Sequence, residues 1–142
     1  MELPTIPEMR NDCSVIVKNL ERLIEFFASK DELSQEEYLT QFGSIAIGLV
    51  RLDTKMGLMA LNSVNQPNSK VNRQYEKAYK ELWKILKKLW LGTVNIEKRY
   101  LEVKFNRFLP WEHIYKTTEM RNDIRNHLKG VLKDLIKLQK KI

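Results

Sequence analysis

Cysteine is nearly absent. Cys13 stands alone in 142 residues, so no internal disulfide can staple the fold and no cysteine cluster can build a zinc site. Stability must come from packing, in a reducing, intracellular setting. In the apolar-rich stretch Cys13-Ser14-Val15-Ile16-Val17 the thiol reads as a small core group and not as a nucleophile. Glycine and proline are scarce too, at five and four residues, which excludes collagen-like and Pro/Gly-rich disordered chains. No run approaches the roughly 18 to 20 uncharged apolar residues of a membrane span. Met1-Glu2-Leu3-Pro4-Thr5 also lacks the basic-then-apolar start of a leader, so no membrane insertion is expected. The two histidines, His113 and His127, have no paired carboxylates at ligand spacing, and no GK[ST] or GxGxxG loop is present. Neither a metal, ATP nor any other cofactor is expected.

What is present is charge, unevenly placed. Residues 1–69 hold six Lys/Arg against ten Asp/Glu, net −4, whereas residues 70–142 hold nineteen against eight, net +11. Clustered cations attract polyanions and release their counterions, so the second half points to nucleic acid or to an acidic protein. The competing reading is a solvated lysine face on helical spacing. The length suits one domain of ordinary size, and an opening methionine with so little leader also fits a carboxy-terminal domain excised from a longer protein.

Periodicity predicts an all-α chain. Ile16, Leu20, Leu23, Ile24 and Phe27 recur at helical spacing, giving a helix from about Asp12 to Ser29. Ser34-Gln35-Glu36-Glu37 has capping-box spacing and opens a second helix with Tyr38, Phe42, Ile45, Leu49, Leu52, Met56, Met59 and Ala60 on one face, to Asn62. Gly43 and Gly48 on that helix read as contact points for another backbone, with a kink near Gly57 as the alternative. Asn65-Gln66-Pro67-Asn68-Ser69 is a loop. A third helix follows, with Tyr75, Ala78, Tyr79, Leu82, Trp83, Leu86, Leu89 and Trp90 as its apolar set and an end at Gly92-Thr93. A fourth segment from Val94 through Ile96, Tyr100, Val103 and Phe105 runs to Phe108-Leu109-Pro110-Trp111, helix favoured over strand. From Thr117 or Thr118, Met120, Ile124, Leu128, Val131, Leu135, Leu138 and Ile142 step by three and four residues and predict a last helix. The expectation is an antiparallel helical bundle of about five helices.

"EMRND" occurs at Glu8–Asp12 and again at Glu119–Asp123, too short to define a repeat. Only the second copy continues into Ile124-Arg125-Asn126-His127. Histidine can accept a ribose 2′-hydroxyl proton or donate one to the leaving oxygen, and arginine can hold the scissile phosphate and stabilise its developing charge. Asn122 can orient either group. On a straight helix Arg121 and His127 lie about 120° apart, so one chain does not aim both at one phosphate. Either the segment bends, or a two-fold axis joins the Arg/His sets of two copies.

Arg121-Asn122 with His127 six positions after the arginine, late in a small helical chain, resembles the signature of HEPN domains, which include metal-independent RNases. The resemblance implies a HEPN-like bundle with Arg121 and His127 as catalytic or RNA-contacting residues, Asn122 as their polar neighbour, and a homodimer whose motifs face each other. More narrowly the chain is similar to HEPN domains that end nuclear mRNA-surveillance endoribonucleases whose recognised nuclease is a separate PIN domain. That similarity implies a nuclear location and a role in binding, dimerisation or placement without cutting.

Arg125, Lys129 and Lys133 are the expected phosphate contacts along the last helix. His113 is a reserve acid or base, more simply packed beside Trp111. Trp83, Trp90 and Trp111 read first as core and second as faces for base stacking. Two functions from different classes remain: an RNA-binding module with or without nuclease activity, and a non-catalytic dimerisation or docking domain that meets an acidic protein.

Overall fold

The structure, a computed structural model, describes residues 3–28, 35–65, 70–99 and 118–142. Among these are four helices and no strand: α1 Ile6–Ala28, α2 Gln35–Asn65, α3 Lys70–Arg99 and α4 Thr118–Lys141. The all-α expectation is met.

α1 starts six residues before the apolar period announces it. Thr5 accepts the Glu8 amide through Oγ1 (3.2 Å) and Glu8 Oε2 accepts the Thr5 amide (3.3 Å). This is a capping box with Pro7 inside the first turn, where a missing N–H costs nothing. α2 begins directly after Ser34, where the second box places it; the Ser34 side chain lies outside the described residues. α3 corrects the expected stop at Gly92-Thr93, since the helix runs through both residues to Arg99. Thr93 is held inside it by an Oγ1 bond to the Leu89 carbonyl (2.8 Å). The remainder of the expected fourth segment, Tyr100 to Trp111, falls outside the described residues, as does His113.

Each helix packs on two neighbours: α1 on α2 and α4, and α3 on α2 and α4. Phe27 meets Tyr38 edge to face at 5.7 Å, and Lys55 Nζ meets Asp12 at 2.6 Å and Glu8 at 3.0 Å, so α1 and α2 are antiparallel. Gln139 donates to Ser14 Oγ (2.7 Å), and Arg10 donates through Nε and Nη2 to the Ile142 carbonyl (3.1 and 2.8 Å), which sets α4 antiparallel to α1. Lys88–Asp134 and Lys141–Glu81 do the same for α3 and α4. Among the described residues the result is an up-down-up-down bundle of four helices.

Every residue of the predicted α4 stripe is buried, from Met120 to Ile142. The stripe shares one core with Met9, Cys13, Ile16, Leu20, Leu23 and Phe27 of α1, Ile45, Leu49, Leu52 and Met56 of α2, and Leu82, Ile85 and Leu89 of α3. Burial pushes the Cys13 thiol up to about 12, with Asp12 adding to the shift, so it is a core group and not a reactive thiolate. Gly48 is a contact point, but for a side chain and not for another backbone, since a Cβ there would stand 2.8 Å from Ile16 Cγ1. Gly43 is not: no atom lies within 4 Å of its Cβ position. Trp83 and Trp90 also depart from the core reading, being 54% and 65% exposed.

Candidate nucleic-acid interface

The bundle is layered by charge. α1 and α2 carry five Lys/Arg and seven Asp/Glu, while the adjacent pair α3 and α4 carry sixteen and six. Folding thus turns the imbalance between the halves of the sequence into two opposed surfaces.

α4 has two flanks on either side of its buried stripe. One row, spaced by sevens, is His127, Asp134 and Lys141; the last two pair with α3, so this row faces α3. The other row, Gln139, Leu132 and Arg125 with Arg121 one turn beyond, faces α1, because Gln139 bonds Ser14. Arg121 and His127 therefore sit on opposite edges of Met120, Ile124 and Leu128, and one chain does not bring them together.

His127 is half-buried against α3. A Cβ on Gly92 would overlap the imidazole at Cε1, Nε2 and Nδ1, so the edge of the ring that carries both nitrogens faces that backbone. Nε2 lies 3.4 Å from the Leu89 carbonyl, at the long end of hydrogen bonding. Here glycine is required by close approach: only hydrogen fits where the ring docks. The side chain is thereby a packing group between two helices, with its nitrogens close to the α3 backbone.

The other sequence-derived candidates divide cleanly. Asn122, Lys129 and Lys133 are exposed in one outward row of α4, and Arg125 is half-buried with an Nε that has no partner among the described residues. The first "EMRND" copy is consumed structurally, Arg10 on Ile142 and Asp12 on Lys55. Sequence reasoning passed over the groove between α3 and α4, lined by Glu81, Lys84, Ile85, Lys88, Asp134, Lys137 and Lys141. Lys88 and Lys141 are paired within it, and Lys84 and Lys137 carry uncompensated charge among the described residues. The available signal was the matched spacing of Lys84/Lys88 and Lys137/Lys141, four residues apart on each helix.

Among the described residues no group of three or more His, Cys, Asp or Glu could hold a metal ion, and no helix is long and apolar enough to cross a membrane. No protein-family model matches the chain, and neither a curated protein nor a solved structure matches it. The class stated by the geometry alone is, among the described residues, an antiparallel bundle of four helices with one basic layer.

Proposed function

We propose that this chain is a HEPN-type RNA-binding module of an RNA-processing or mRNA quality-control endoribonuclease, with the α3/α4 layer as its RNA-contacting surface. The observation that carries the reading is the concentration of sixteen cations against six carboxylates on two adjacent helices. Lys84, Lys129, Lys133 and Lys137 supply phosphate contacts, and Asn122 and Arg125 border them. Cleavage by Arg121 and His127 is not part of the proposal, because the imidazole nitrogens face the α3 backbone and Arg121 stands on the opposite flank of α4. The role is binding and placement, with cutting assigned to another domain.

The test is fluorescence anisotropy of a labelled single-stranded RNA against salt. Affinity is expected to fall linearly on a log–log plot, and Lys84→Ala or Lys137→Ala each to lower the slope by about 0.7. Binding that ignores salt, or variants with the wild-type slope, would remove the proposed surface.

A second reading rests on a separate observation. Leu39, Ile47 and Val50 stand 57–62% exposed on the outer side of α2, and scattered apolar residues become a docking surface when they line one ridge. On this reading the module dimerises or docks through α2 and positions a partner nuclease domain. Analytical ultracentrifugation of wild type beside Ile47→Glu decides it: a dimer that the substitution dissociates supports docking through α2, and a monomer in both removes the dimer.

A further inference from the structure

Trp83, Lys87, Trp90 and Val94 follow one another at intervals of four, three and four residues along α3, and all four are exposed. Lys80 and Lys84 run beside them. Trp83, Lys84, Leu86, Lys87, Trp90 and Leu91 line an open groove of about 540 Å³. This row lies away from α4, on the flank that Tyr79 presents to Gly57 of α2. The Trp83 and Tyr79 rings meet edge to face, with centroids 6.3 Å apart and planes at 87°, a contact that leaves the indole exposed. Lys80, Lys84 and Lys87 have no carboxylate partner among the described residues.

We infer that this row is a stacking platform for single-stranded nucleic acid, with unpaired bases on Trp83 and Trp90 and the phosphate backbone along Lys80, Lys84 and Lys87. The inference rests on the RNA reading above and adds the strandedness of the ligand and a second subsite that borders the α3/α4 groove, with Lys84 lining both. Two indoles bracketing an ammonium, about 10 Å apart along the axis at 1.5 Å per residue, offer flat apolar faces at intervals with cations between them. Every base has a π-face, so such a surface binds unpaired bases with little regard to sequence, while duplex bases are stacked on one another and not available. Charge complementarity selects this occupant over a second copy, since α3 docked on α3 would bring Lys84 and Lys87 against their own counterparts.

The probe is a 12-nucleotide oligouridylate, free and annealed to its complement, titrated into the whole chain. Intrinsic tryptophan fluorescence and anisotropy of the labelled strand are read together. Both indoles lie outside the core, so Trp83→Ala and Trp90→Ala should fold, which thermal melts verify. The single strand is expected to quench the fluorescence and to bind roughly 10-fold more tightly than the duplex. Each substitution is expected to weaken single-strand binding by about 5- to 100-fold and to leave duplex binding unchanged. Equal binding of the two forms, or variants that bind as wild type, would overturn the platform while leaving a charge-driven RNA contact intact. No binding of either form removes the RNA reading itself. A concentration-dependent dimer in RNA-free solution that Trp90→Ala dissociates assigns the row to a second copy and overturns the platform as well.

Discussion

The His127–Gly92 contact shows how one residue changes its meaning on folding. Arginine and histidine at the right separation are legible in a sequence as RNA chemistry, but the flank of α4 to which the histidine turns is not. That depends on which helix lies beside it and whether the helix leaves room, and the room comes from Gly92, thirty-five positions earlier. Reading Gly92 as a helix end missed this, because a glycine terminates a helix or lets another side chain approach with the same lack of a Cβ. Gly92→Ala should cost about 1–3 kcal/mol by overpacking against the imidazole. In a His127→Ala background the same change should be neutral, or stabilising by up to about 1 kcal/mol from helix propensity. A double-mutant cycle from denaturant melts measures the coupling; additive effects would mean that the ring is not seated there.

At the scale of the element, apolar spacing located the buried stripe of α4 residue for residue and most of those of α1 and α2. On α3 it placed Tyr75, Ala78, Leu82 and Leu89 in the core but erred on Trp83 and Trp90, because period gives a direction and not a width. Trp83 and Trp90 lie at the edge of the stripe, and only the position of α2 determines that they stay in solvent. It also missed the start of α1, where Thr5-Ile6-Pro7-Glu8 carried a capping signal before any apolar repeat began. The α1–α2 pairing then supplies a pH signature. The Asp12 hydrogen bond, followed by that of Glu8, holds the Lys55 ammonium above the ordinary lysine range, and Lys55 with the Thr5 amide holds the Glu8 carboxyl below its own. The raised Lys55 contributes stability that is present below the unfolded lysine value, about 10.4, and lost as pH rises through the folded one. The depressed Glu8 contributes stability present above about 4.3 and lost as pH falls through its folded value. Lys55→Gln should therefore melt a few degrees below wild type at pH 7, with the gap closing toward both extremes. A gap of constant size from pH 3 to pH 7 would exclude the ion pairs as its source.

Across the whole molecule, the charge asymmetry between the two halves of the sequence survives folding as a basic layer because α3 and α4 are neighbours. The composition showed the excess but not its placement, since the same lysines distributed over diagonal helices would have produced two weaker faces. Adjacency also builds the groove of Lys84 and Lys137, which no single helix contains. The account's central claim, that this layer is where RNA lies, is tested most directly by amine-reactive footprinting of the lysines with and without single-stranded RNA, read by mass spectrometry. Protection of Lys84, Lys87, Lys129, Lys133 and Lys137 is expected, with Lys18 on the exposed side of α1 labelled equally in both samples. Uniform labelling across the chain, or protection centred on Lys18, would contradict it.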